Sequence, residues 1–301
     1  MRETLIRTPE GMRDTLFDEC AARRGREAGL FSLFQSRGFQ EVSTPVLERY
    51  ELFPRIGSPL SEETMVKVIG RDGRICVLRP DNTAPIARLA ATRLQNEPLP
   101  LKLWYTQPVF RAQGDGFCEI RQAGVEIIGG KVRNYNILNL ACEATGHYYG
   151  QTPHIEVSHA DILQTLFGHM KLDVTRKERA LSLIGRKNFA ELGDEFPDAA
   201  DLLKLVRISG GLEALDEAAE TVSISLDRPL KILRNLLQKL PDKQITVDFA
   251  LAPSLGYYTG VFFRGYVDGA AGAVLSGGWY SNLLGLLGRE ALAVGFAIHL
   301  E

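Results

Sequence analysis

The chain has 301 residues, 45% of them hydrophobic, enough to build one large domain or a main domain with a smaller companion. Its 35 basic and 37 acidic side chains nearly cancel to a net charge of −2 with no long basic run, which gives a nucleic-acid footprint no support. Cys20, Cys76, Cys118 and Cys142 lack CxxC spacing, and the start "MRETLIRTPEGMRD" lacks an apolar signal core. No apolar run approaches the ~20 residues of a membrane-spanning helix, so the expectation is a reduced, cytoplasmic protein.

In chain order, apolar residues recur at helical spacing from Thr15 to Arg37, with Thr15 as the expected cap and Gly38 as the stop. The segment 39–48, "FQEVSTPVLE", reads as extended and is broken by Pro45. Two β-branched runs flank Asp72-Gly73 in 65–78, a hairpin signal, and a helix is expected from Thr83 with Pro85 in its first turn. The stretch 109–130, "VFRAQGDGFCEIRQAGVEIIGG", is two strand-like halves around a polar, glycine-bearing loop. A helix over 134–150, capped by Asn134 or Asn136, and a short strand at 154–158 follow.

From Asp161 to Leu240 the texture changes to short, charged helical pieces broken by Gly185, Gly193, Pro197 and Gly210-Gly211. Strand signals return at 245–251, 257–267 and 292–300, with a short helix around "YSNLLGLLG". The expected organisation is an α+β core over 1–158 and 242–301, with a helical insertion over 159–241. Hairpins dominate and no βαβ unit repeats, so the sheet is expected to be mixed, mainly antiparallel and flanked by helices.

No phosphate loop, HExxH or GxSxG is present, and the five histidines form no metal-ligand pattern with a cysteine pair. The polar segments that remain are "LRPDNTAPIAR" (78–88), the 109–130 hairpin and "SLGYYTGVFF" (254–263). An Asp-x-Thr at a helix start can cap the helix, or it can hold an ammonium group with the Asp81 carboxylate and the Thr83 hydroxyl. Gln122 and Glu126 lie at strand spacing i and i+4, which puts both on one face; Arg111 adds a guanidinium suited to a carboxylate or phosphate. Together these groups suit a zwitterionic amino acid, although a capped helix and a solvated sheet face would leave the same pattern.

"TPEGMRD" (8–14), "TPVLE" (44–48), "LRPDNT" (78–83), "EIRQAGVEIIG" (119–129), "YYTGVFF" (257–263), "GGWYSNLL" (277–284) and "AVGFAI" (293–298) follow the order and approximate spacing of the histidyl-tRNA synthetase catalytic core. The chain most resembles that family's non-synthetase branch, the ATP phosphoribosyltransferase regulatory subunits, along nearly its whole length outside the insert. The resemblance implies the class II synthetase fold, dimeric through the region around "TPVLE". It also implies a histidine site made by Asp81, Thr83, Arg111, Gln122, Glu126 and Tyr258: Asp81 and Thr83 on the ammonium, and Tyr258 near the imidazole.

Departures from the synthetase pattern fall on the nucleotide side. Pro253 stands where synthetases carry their histidine-specific arginine, and Gly256 replaces an aspartate. Gln113 and Cys118 replace an acidic and a basic residue of the second class II motif. The sequence ends at Glu301, one residue before the arginine of the third. One further change counts against the regulatory branch as well: Trp279 and Ser281 replace a charged pair of the pocket wall that regulatory subunits often keep, and Trp279 is expected to fill space that a ligand would occupy elsewhere. The resemblance still implies a regulatory subunit with no catalytic residues, cofactor or metal of its own. It would act as a homodimer within a hetero-oligomer with a short-form catalytic subunit, take histidine as effector and bind no tRNA. The alternative is a minimal synthetase core that forms histidyl-adenylate.

Overall fold

The computed structural model describes residues 6–56, 60–252 and 257–300. By contact density the chain divides into two compact units, the first running up to Gly130 and adding Leu283–Ala291 and Ala297–Glu301, the second holding Lys131–Asn282 and Leu292–Phe296.

The first unit opens with α1 (Phe17–Ser36), which packs Leu30 and Phe34 into the core. Thr15 does not cap it: Leu16 takes the cap position with no side-chain bond, and the Thr15 carbonyl instead accepts from the Cys20 thiol. At its other end Gly38, at φ +78, supplies the left-handed turn that the expected stop requires. Strands β1 (Gln40–Glu41) and β2 (Leu47–Arg49) flank Pro45, so the extended segment splits where proline removes a ladder donor. A short α2 (Leu52–Arg55) follows.

The Asp72-Gly73 hairpin joins β3 (Lys67–Ile69) to β4 (Ile75–Leu78), and Gly73 takes φ +75. These strands and β2 form a three-stranded sheet in the order β2-β4-β3. After α3 (Thr83–Ala91) come the long partners β5 (Leu101–Gln113) and β6 (Gly116–Ile128), antiparallel over their full length about Gly114-Asp115. β1 adds to β5 in parallel. Both α1 and α3 pack on β6, and Phe31 and Phe34 set their rings 5.2 and 6.1 Å from Trp104 of β5. Arg289 closes the far end of α3, its guanidinium donating to the Ala90 and Leu94 carbonyls at 2.6 and 2.8 Å.

The second unit begins with α4 (Asn134–Tyr149) and β7 (His154–His159). Six helices follow, α5 (Ala160–His169), α6 (Val174–Gly185), α7 (Phe189–Glu195), α8 (Ala200–Leu205), α9 (Leu212–Thr221) and α10 (Asp227–Lys239), interrupted by the two-residue β8 (Ser209–Gly210). The chain then returns to sheet in β9 (Ile245–Asp248), β10 (Val261–Tyr266) and β11 (Leu275–Trp279), in the order β11-β10-β7-β9-β8. β7 and β9 pair in parallel and the other pairs are antiparallel. The last elements are α11 (Ser281–Leu286) and β12 (Ala293–His299). The α+β class and the mixed, mainly antiparallel ladder agree with expectation.

Two strands have no counterpart in the sequence reading: the two-residue β8, inside the expected helical insertion, and β11, "LSGGW", whose paired glycines mask it. A side chain at Gly277 would stand 2.6 Å from the Gly295 carbonyl and from Phe296 Cβ, so only glycine lets these backbones approach.

Candidate functional site

Where β4 ends, Arg79 is buried and binds several backbone and side-chain groups at once. Its Nε donates to the Pro108 carbonyl at 2.7 Å, and its Nη1 to the Thr44 and Pro45 carbonyls and to Gln107 Oε1 at 2.7, 3.2 and 3.0 Å. A guanidinium with its donors spread over two segments fixes "TPVLE" against β5 and aims the next residues at β6. α3 is held from a second side by Arg88 in its last turn, whose fork grips buried Glu48 at 2.9 and 2.6 Å.

Held this way, residues 81–83 meet β6 side by side. Thr83 Oγ1 donates to Glu126 Oε1 at 2.9 Å, and Asn82 Nδ2 donates to Gln122 Oε1 at 3.0 Å. The i and i+4 spacing of Gln122 and Glu126 thus presents both to one helix start, and Glu126 is only 1% exposed. Thr83 is spent on Glu126 and does not cap; the cap is Asp81, whose Oδ1 accepts from the Ala84 N–H at 2.8 Å. Its second oxygen, Oδ2, is buried and has no hydrogen-bond partner among the described residues.

Arg111, on β5, donates from Nε to the Pro80 carbonyl at 3.1 Å. Burial pushes the Asp81 carboxyl above its ordinary range, with the Ala84 N–H and the Arg111 charge pulling the other way. Arg111 is itself pushed down by burial and held up by Asp81. His299 in β12 is lowered to about 4, chiefly by burial and then by Arg111. The first unit therefore gathers Asp81, Thr83, Arg111, Gln122 and Glu126. They form a set of two carboxylates, a hydroxyl, an amide and a guanidinium, able to receive an ammonium group at one end and a carboxylate at the other.

Tyr258 belongs to the second unit, where its ring stacks on Phe262 at 5.3 Å and meets Tyr257 edge-on at 5.0 Å. The alternation expected of a strand does not apply to this pair, because β10 begins only at Val261. Pro253 and Gly256 lie outside the described residues. Gln113 ends β5 with its side chain exposed, and Cys118 sits across the ladder from Arg111. Trp279 Nε1 donates to Asn134 Oδ1 at 2.5 Å, so Asn134 serves the indole and does not cap α4. Ser281 Oγ accepts from the Ala293 N–H at 3.1 Å. Neutral local bonds thus occupy the positions where a charged pair was expected.

The residues that the sequence reading passed over are Arg79, Asn82, Gln107 and His299. In sequence the first two are ordinary turn chemistry, and only the fold shows that they organise the site. Among the described residues no group of three or more His, Cys, Asp or Glu side chains is placed to hold a metal, and no helix is long and apolar enough to cross a membrane.

The histidyl-tRNA synthetase family model matches residues 11–301. The chain is 33% identical to an ATP phosphoribosyltransferase regulatory subunit of Clostridium kluyveri over 97% of its own length and 80% of that protein. It is 36% identical to one of Symbiobacterium thermophilum over 99% and 79%. Among solved structures it is similar to a protein of Bacillus halodurans described as an ATP phosphoribosyltransferase regulatory subunit/histidyl-tRNA synthetase. The TM-score is 0.87 and the identity 28%, covering 98% of this chain and 82% of that one.

Proposed function

The chain belongs to the histidyl-tRNA synthetase family, and on that premise we propose that it works as a non-catalytic regulatory subunit of ATP phosphoribosyltransferase. Its partner is a short-form catalytic subunit that condenses ATP with phosphoribosyl pyrophosphate, the first step of histidine biosynthesis. Its effector is histidine, held by Asp81, Thr83, Arg111, Gln122 and Glu126 of the first unit.

The observation that carries the ligand half of this reading is the buried, unpartnered Oδ2 of Asp81. An orphaned carboxylate oxygen costs stability unless something fills it, and an α-ammonium group is the right size and charge. The nucleotide half of a synthetase site has no comparable support: Gln113 and Cys118 replace the charged residues of the second motif, so developing charge on ATP would go unmatched. Regulation is then a coupling free energy between the histidine site and the partner's active site, carried by two states of the assembly that bind histidine with different affinity.

The test mixes the full chain with a short-form catalytic subunit and follows phosphoribosyl-ATP formation while histidine is titrated. The expected result is co-purification, activation and histidine inhibition. Failure to associate and to activate, or histidine-dependent exchange of pyrophosphate into ATP by the chain alone, overturns the proposal in favour of a synthetase core.

A further inference from the structure

Within the second unit, a cavity of about 980 Å³ opens between the start of α4, the first turns of α10 and the ends of β10 and β11. That volume lies at the upper end of the usual range for small-molecule sites. Three cations line it: Arg133 at the cap of α4, Arg228 in the first turn of α10 and Lys231 one turn further on. All three are exposed, and none forms a salt bridge or side-chain hydrogen bond among the described residues. Asp227 is the one acid in the lining, and it already accepts from the Ser225 hydroxyl at 2.8 Å.

Arg228 sits at the positive end of the α10 dipole, where a cation is disfavoured, and folding alone gives no reason to put it there. An anion in the cavity supplies that reason, since it would meet the guanidinium, the ammonium and the helix N-terminus together.

A second, independent observation points the same way. His159, 5% exposed, ends β7 on the cavity wall. Its Nδ1 accepts the Asp161 N–H at 3.2 Å, which places the ring proton on Nε2. Nε2 has no hydrogen-bond partner among the described residues and is not sealed off, so the ring of this largely buried residue offers a free donor at the cavity wall. Burial and the nearby Arg228 lower this histidine while Asp161 raises it, and the neutral ring is favoured. Trp279 also lines the cavity, its indole fixed at one edge by Asn134 and packed beside Gly260, where a side chain would come within 3.3 Å of it. A fixed indole beside three cations and a neutral imidazole donor is the pairing that a phosphate attached to a flat ring requires.

We propose that this cavity is a binding site for a phosphorylated, ring-bearing small molecule of the nucleoside monophosphate class, with its phosphate on Arg228, Lys231 and His159 and its ring against Trp279. Its lining belongs wholly to the second unit, and the proposal does not depend on the assignment made in the first.

The test uses the isolated full-length chain, with no catalytic partner, and adenosine 5′-monophosphate as probe. Calorimetry at low salt should give saturable one-site binding, and the Trp279 indole signal should shift in an NMR titration while that of Trp104 stays put. The Arg228→Ala/Lys231→Ala double variant should weaken binding at least tenfold. Arg234→Ala, on the same helix but paired with Asp216, should leave it unchanged. Both α10 positions are exposed, so circular dichroism should match the parent. Absence of saturable binding at millimolar probe, or binding unaffected by the double variant, overturns the proposal. Inorganic phosphate binding as tightly as the nucleotide overturns the role given to Trp279.

Discussion

Asp81 shows why a binding residue can be costly to the fold that carries it. One oxygen caps α3 through the Ala84 N–H while the other is buried without a partner, and burial drives the carboxyl toward its protonated form. The acid is useful only when ionised, so ligand affinity and proton binding compete at one atom. A folded-state value raised above the unfolded one means that protons bind more tightly to the empty site than to the unfolded chain; an ammonium ligand must displace them. Histidine affinity, measured by calorimetry, should therefore fall as pH is lowered through the raised value. Asp81→Asn should weaken binding at neutral pH by about 10- to 100-fold, the equivalent of a hydrogen bond to a charged group, and flatten that pH dependence. Unchanged affinity in the variant would move the ligand elsewhere. Asp81, Thr83, Gln122 and Glu126 are legible in sequence because their roles follow from local spacing, a helix start and a strand period. Arg79 and Gln107 are not, since their value lies in joining segments that are distant in sequence.

Elements obey the same division between local and tertiary causes. The Asp72-Gly73 turn, the start of α3 and the turn of the β5–β6 hairpin are written in turn glycines and alternation and form where expected, although β5 begins at Leu101, ahead of the expected start at Val109. The caps at Thr15 and Asn134 are not used: the cap position of α1 falls on Leu16, one residue past Thr15, and a tertiary partner, the Trp279 indole, takes the Asn134 side chain. β11 is hidden for a related reason, as Gly277 and Gly278 read as a loop while close approach to β10 and β12 demands them. Gly278, at φ +158, also faces the Tyr258 ring, 2.7 Å from where its Cβ would be. Gly277→Ala should therefore cost about 1–3 kcal/mol by overpacking against Gly295 and Phe296, read as a lower denaturant midpoint. A variant as stable as the parent would show that β11 tolerates a Cβ and that its glycines serve something other than packing.

At the scale of the whole molecule, the homodimer that the resemblance implies through "TPVLE" would use the small sheet of the first unit. The three-stranded sheet β2-β4-β3 leaves Leu47 and Val68 exposed on one face and Ile69 and Ile75 on the other; Ile69 is 78% exposed and Leu47 47%. A run of β-branched and leucine side chains on a small sheet with two unpaired edges invites association, and soluble proteins seldom leave one uncovered. It includes the "TPVLE" segment, which Arg79 and the Glu48–Arg88 pair hold rigid from the interior. Rigidity there matters for a two-fold interface, which requires the same patch to match its own copy. Ile69→Lys places two charges face to face across such an axis and changes almost nothing within the protomer, where exposed substitutions usually shift stability by less than about 0.5 kcal/mol. Sedimentation at micromolar concentration should therefore find the parent dimeric and Ile69→Lys monomeric, with the variant keeping its circular dichroism and its histidine affinity. A monomeric parent, or a variant that still dimerises, would place the interface on another face. A variant that loses histidine affinity along with the dimer would mean that the binding set needs the second copy to hold its shape, and regulation would then begin at assembly.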